Sequence, residues 1–329
     1  MQPPDLSLAR SRAYALFSRL YRAGVTPEVL PEVRALAELN DALGDAFDAE
    51  HAAADHYDLF HLNVFPYASL FLDASGRLGG AVTDDARRRL RQAGYDADTS
   101  SESADHIGHA LGLLAFLSGA EADAWQDHHP AEAERMHRLQ RRFLDASLLW
   151  WLPAFVMAVR QQNHPFYTLL GTLTLDLVID HRLALGPATD STPTAPPLPE
   201  PPPLLDDDKT GLREIANYLA TPPWSGLYLS RADLGRLGRA ERLPRGFGPR
   251  AQMLANLLRS AATFDRLDPL LNQLAGMIQT WRSHYAALAE REVPILEMVS
   301  QTWLARLDAT EEIITRMRAA TMTDVDFGF

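Results

Sequence analysis

The chain has 329 residues, 47% of them hydrophobic and 22% charged, values that suit a globular protein of about two domains. A formal net charge of -12 argues against nucleic acid as a main partner, and the absence of cysteine excludes disulfides, thiolate metal sites and a cysteine nucleophile. No apolar run approaches the roughly 20 residues of a membrane helix, so no membrane insertion is expected.

In chain order, MQPPDLSLARSR lacks the basic start and apolar core of a secretory signal, which leads to the expectation of a cytoplasmic protein. Helical spacing of Leu8, Ala13, Leu16, Leu20 and Tyr21 predicts a helix over 5–23. Leu36, Leu39 and Leu43 predict a second over 31–47, and Tyr57, Phe60 and Leu62 a third over 48–62. His51, His56 and His61 are five residues apart and so fall on different faces of an ideal helix. The stretch YDLFHLNVFPYASLFLD stays apolar beyond Pro66, with Tyr67, Leu70, Phe71 and Leu72. Such a segment is either buried under another element or lines a groove made for a partner.

Thr83-Asp84-Asp85 reads as a cap before a basic helix through Arg91. A strong helix is expected over 100–118, with Asp105-His106 in its first turn, and a companion over 130–146. The nearly all-apolar stretch 148–162 predicts a central buried helix with Pro153 near its first turn, and 164–185 predicts another helix. Residues 187–209 are proline-rich and acidic, which is the composition of an extended linker. Helices resume over 212–220, 231–241, 251–264, 267–289 and 293–319, and the tail TMTDVDFGF reads as frayed. No strand pattern, solenoid repeat or sustained heptad is present. The expected fold is all-α: a helical domain over 1–186, the linker 187–209, and a second helical unit over 210–329.

Motifs for chemistry are weak. Glu134-x-x-His137 has the spacing of one half of a di-metal carboxylate site, but no second such pair follows, so a solvated helix face is the better reading. Gly246-Phe247-Gly248 lacks the strand and third glycine of a dinucleotide fingerprint and reads as a tight turn. No serine nucleophile elbow is found. No catalytic residue, cofactor or metal is assigned.

Two stretches together resemble the TorD/DmsD family of chaperones, which includes NarJ-like members and matures molybdopterin-dependent oxidoreductases. The first is Pro66-Tyr67-Ala68-Ser69-Leu70-Phe71-Leu72-Asp73; the second is Ala104-Asp105-His106-Ile107-Gly108-His109-Ala110-Leu111 with GLLAFL after it. Their order and the later RRFLDASLLWWLPAFVMAV and HPFYTLLGTLTLDLVIDHR segments also look like the family, over about residues 7–185. Ala104 and Ala110 depart from the family's usual proline and glutamate. The resemblance implies a non-enzymatic, TorD-like helical bundle that binds the twin-arginine signal peptide or apo-form of an oxidoreductase subunit. It places Pro66, Tyr67, Ser69, Phe71, Leu72, Asp73, Asp105 and His106 at the client-binding surface. Physically, Tyr67, Phe71 and Leu72 would supply part of an apolar groove, and Asp73 and Asp105 charge for guanidinium groups. A NarJ-like factor for a non-exported subunit, and a generic helical scaffold with the loop as core, are the rival readings.

Overall fold

The computed structural model describes residues 3–99, 101–187, 195–205, 210–244 and 246–325. It divides into two compact units, residues 1–70 with 77–197 and residues 71–76 with 198–329. Among the described residues the secondary structure is helical, apart from one isolated antiparallel bridge between Tyr67 and His106. The fold is therefore all-α.

In the first unit, α1 (Pro3–Ala23) packs along α7 (Ile107–Gln126). Small residues and hydroxyls let the two backbones approach. Ser18 Oγ donates to the Gly108 carbonyl at 2.7 Å, and Ser11 Oγ to the Ala115 carbonyl at 2.8 Å. The helix expected over 31–47 is two pieces, α2 (Leu30–Arg34) and α3 (Ala37–Leu43), separated at Leu36, whose ψ of 109° is extended. Arg34 ties across the break by donating to Asn40 Oδ1, and to the Gly44 and Asp45 carbonyls. The helix α4 (Ala49–Tyr57) is capped by Asp48, which accepts from His51 N, and passes directly into a π-helical turn, Asp58–Asn63.

That turn corrects the reading of the histidines. Spacing of five is out of phase in an α-helix, but the wider π turn, with its i→i+5 bonding, brings it into phase. The rings of His56 and His61 lie 5.8 Å apart, and His61 stacks on Tyr57 at 5.0 Å.

After the one-turn α5 (Ser69–Leu72), α6 (Gly80–Gln92) begins earlier than expected. Thr83 lies inside it rather than capping it, and its hydroxyl donates to Asp105. Next, α8 (Pro130–Phe143), a second π turn (Leu144–Leu148) and α9 (Leu149–Arg160) form one continuous helix. Pro153 is thus inside a long helix, not at its start; the π turn lies just ahead of it, where a proline disrupts α-helical bonding. This helix is long and apolar enough to cross a membrane by composition, yet 83% of its apolar window is buried inside the protein. α10 (Pro165–Ala184) completes the unit, and its Arg182 donates to both oxygens of Asp145 in the π turn at 2.5 and 3.0 Å.

The second unit holds α11 (Leu212–Leu219), α12 (Pro222–Ser225), α13 (Arg231–Ala240), α14 (Arg250–Thr263), α15 (Leu267–Ala289) and α16 (Pro294–Val325). Its core stacks Tyr285 on Trp303 at 5.8 Å, and the Tyr285 hydroxyl donates to the Gly226 carbonyl. Gly226 has φ +76°, and an added Cβ would meet Leu307 N at 3.0 Å, so the turn after α12 needs a glycine. The proline-rich segment belongs to this unit from residue 198: Leu204 is buried, and Arg306 donates to the Pro199 carbonyl. Residues 188–194 and 206–209 of the expected linker, and residues 326–329 of the expected frayed tail, lie outside the described residues.

Candidate functional site

The loop after the first π turn and the start of α7 meet as a single backbone junction. Ala68 N donates to the Asp105 carbonyl at 3.0 Å and Ile107 N to the Pro66 carbonyl at 2.9 Å. These bonds pair Tyr67 with His106, and their rings meet edge to face at 5.0 Å. The chain turns tightly at Pro66, where Tyr67 N donates to the Phe65 carbonyl at 3.0 Å, and His106, extended with ψ 139°, is the N-cap of α7.

Asp105 holds the junction from inside. It is 3% exposed. One oxygen accepts from Thr83 Oγ1 at 2.8 Å and Ser103 Oγ at 2.7 Å; the other accepts from Ser69 N at 3.0 Å. The carboxylate thus gathers the loop, α6 and the α7 start into one knot. His106 accepts from Gly108 N at Nδ1 (2.9 Å), which places its proton on Nε2. Burial first, with His109 and Arg22 adding to it, pushes His106 down to about 3, so its ring is neutral. Gly108 leaves room for the Arg22 stem, whose Cγ a Cβ there would meet at 2.4 Å.

Of the eight residues singled out by sequence, the structure joins Pro66, Tyr67, Ser69, Asp105 and His106 in the first unit. Pro66, Tyr67, Ser69, Asp105 and His106 are all buried, and Ser69 Oγ has no hydrogen-bond partner among the described residues. Phe71, Leu72 and Asp73 belong to the second unit. Phe71 is fully buried and stacks on Tyr228 at 5.3 Å, with the Arg250 guanidinium 4.2 Å from the same Tyr228 ring. Leu72 is buried; Asp73 is partly exposed and accepts from Ser75 N in a turn. In this conformation the loop's apolar side chains are core, and Asp105, itself buried, accepts from Thr83, Ser103 and Ser69.

What faces outward at the junction is a set that sequence reasoning passed over. Glu102 is half-buried and accepts from the Tyr67 hydroxyl, while its carbonyl meets His109 Nε2 at 3.3 Å. Burial, and then Glu102, push the Tyr67 phenol up, so it remains a donor. Tyr57 is 57% exposed and Leu62 37%, with His61 between them. His56 is lowered, first by burial, and its ring lies 5.8 Å from that of His61. Tyr57 and His61 are four apart and share a face by ordinary helical spacing, whereas the approach of His56 to His61 needs the π turn, which no spacing rule signals. Among the described residues no group of side chains suits a metal; His137 pairs with Glu121 at 2.8 Å, not with Glu134.

Comparison with known proteins now bears on the junction. Residues 26–157 match a family model described as nitrate reductase delta subunit. A chaperone protein TorD from Aliivibrio fischeri is 30% identical over 168 residues, covering 49% of this chain and 77% of the relative. Another from Photobacterium profundum is 29% identical over 160 residues, covering 46% of this chain and 73% of the relative. The matched family segment contains both halves of the Tyr67–His106 junction and ends before α11, the first helix that lies wholly in the second unit. This chain belongs to the TorD family of chaperones.

Proposed function

We propose that the protein is a cytoplasmic maturation chaperone that binds the twin-arginine signal peptide or the apo-form of a molybdopterin-dependent oxidoreductase subunit and aids cofactor insertion before export. The observation that carries the reading is the Tyr67–His106 junction, where the half-buried carboxylate of Glu102 accepts from the Tyr67 hydroxyl; Tyr57, which stacks on His61 in the helix leading to this loop, is 57% exposed. A twin-arginine peptide presents two guanidinium groups followed by an apolar run. Glu102 has acceptor capacity left beside the Tyr67 bond, and Tyr57 with Leu62 offers apolar surface. Asp105 and His106 then act as positioning residues that fix this face. The net charge of -12 favours encounter with a basic peptide. A second reading within the same family is assembly of a subunit that is not exported.

The test is titration of the full chain with synthetic signal peptides of molybdopterin oxidoreductases, carrying Arg-Arg or Lys-Lys. Glu102→Gln is expected to weaken Arg-Arg peptide binding about tenfold with an unchanged melting temperature. Asp105→Asn is expected to lower the melting temperature and weaken binding together. Equal binding by Glu102→Gln and the parent would remove the Glu102 face from the mechanism. Binding of the subunit body without its N-terminal peptide would select the second reading.

A further inference from the structure

The carboxylate that ties the junction is closed to any basic ligand, because Asp105 is 3% exposed. One of the groups on it comes from α6, which reaches it through Thr83 Oγ1 at 2.8 Å. α6 is held lightly. Of its 13 residues only Thr83 and Leu90 are buried, so Leu90 is its single buried apolar side chain. By contrast, α7 buries 12 of its 20 residues. The ion pairs of α6 are internal, Arg87 with Asp84 and both Arg88 and Arg89 with Asp85. Among the described residues, the Thr83–Asp105 bond is the one side-chain hydrogen bond or ion pair from α6 to another part of the chain. The helix also stands between glycines of positive φ. Gly79 (+103°) and Gly80 (+78°) lead into it, and Gly94 (+76°) follows it. A Cβ at Gly79 or Gly94 would meet nothing within 4 Å, so the backbone and not the packing asks for glycine there.

A helix placed only for packing turns an apolar stripe inward. α6 instead has one apolar anchor, one polar latch and a glycine joint at each end, which suits an element that moves as a unit. Moving it breaks one side-chain hydrogen bond and uncovers one leucine. Ser103 Oγ and Ser69 N stay on Asp105, because neither belongs to α6. The acceptor position set free lies beside a second carboxylate. The Tyr67 hydroxyl bonds Glu102 and, two residues on, Ser69 N bonds Asp105, so one short piece of loop touches both. Two guanidinium groups call for two carboxylates, and with α6 closed Asp105 is buried.

We propose that α6 is a hinged cover over Asp105, latched by the Thr83 hydroxyl, and that an arginine of the client peptide replaces that hydroxyl on the carboxylate as the cover swings away. A guanidinium makes a charge-assisted bond where a neutral hydroxyl stood, so the exchange favours the arginine over the latch. Closed, Asp105 positions the junction; open, it is a contact residue beside Glu102. The identity of the occupant rests on the client reading above, whereas the hinge and the latch do not.

The experiment is hydrogen exchange of the full chain, alone and with a synthetic Arg-Arg signal peptide, together with titration of that peptide. An undocked helix of 13 residues is marginal in water, so its amides report the opening. Thr83→Val keeps the side-chain shape and removes the latch. It is expected to speed exchange over residues 84–92 about tenfold, with α7 unchanged, and to tighten peptide binding about fivefold. Leu90→Ala removes the apolar anchor, leaves every bond on Asp105 in place, and is expected to act in the same direction on both readouts. In the parent chain, bound peptide is expected to speed exchange over 84–92. Unchanged exchange there in Thr83→Val, or protection lost equally from α6 and α7, would overturn the latch. Faster exchange in both variants with peptide binding no tighter would overturn the replacement of Thr83 by arginine. Faster exchange confined to α6, with no peptide bound by parent or variants, would support the hinged cover and overturn the client reading.

Discussion

Buried ionisable side chains give the first unit a definite response to acid. His106 and His181 are both held down to about 3, burial being the largest cause in each, from an ordinary value of 6.5. His181 meets the Tyr14 hydroxyl at Nδ1, 2.9 Å away, and its Nε2 has no partner among the described residues. Each ring is neutral when folded, whereas the unfolded chain protonates it near 6.5. Unfolding therefore takes up protons below 6.5, and stability falls as pH drops from 6.5 towards 3. Glu121 adds a second limb. Burial alone would raise its carboxyl, but bonds from His137, Ser7 and Gln140 outweigh it and hold the group below 4.5. Its contribution is present above 4.5 and is lost as pH falls through the folded value. Denaturant unfolding at a series of pH values should show stability already declining between pH 6.5 and 5. His181→Phe should flatten that decline while lowering the plateau, because Tyr14 loses its partner. A pH-independent stability above 5 would contradict the neutral buried rings.

Among the elements, the π turns decide where the site residues point. A periodic reading finds the helix through Tyr57, Phe60 and Leu62, since apolar phase survives locally, but it carries that phase through the π turn unchanged. It therefore separates His56 from His61, although it keeps His61 with Tyr57, four residues before it. The family motifs made the loop and the Asp-His pair visible, yet not which side chains face inward. That depends on Asp105 accepting from Thr83, a residue that local capping chemistry places at a helix start. Burial of the stretch around Trp150 was legible because its composition is apolar on all sides; Pro153 was misread because the π turn before it leaves no trace in residue type. Deleting the partly exposed Leu62 should convert the π turn to regular helix and return the following loop to α phase. The expected outcome is loss of the Tyr67–His106 bridge, read as faster hydrogen exchange at Ala68 and Ile107. Substituting Leu62→Ala should leave both amides protected. Unchanged protection after the deletion would show that the junction does not need the π turn.

On the scale of the whole molecule, the chain's division does not follow its proline-rich boundary. Residues 71–76 interrupt the first unit and belong to the second, where Phe71 stacks on Tyr228. A cut between the expected domains therefore leaves the earlier fragment holding a side chain whose packing partner is gone. Phe71 is fully buried in the intact chain, and replacing such a ring by alanine costs about 3–5 kcal/mol. In the intact protein Phe71→Ala should destabilise the packing around Tyr228 by that order. A fragment of residues 1–197 should expose the ring instead, binding an apolar dye and self-associating, and there Phe71→Ser should reduce both behaviours. Opposite signs for similar substitutions in the two contexts are what a donated segment demands. If Phe71→Ala left the intact chain unchanged, or Phe71→Ser did not improve the fragment, residues 71–76 would be a connecting loop and the second unit would be complete without them.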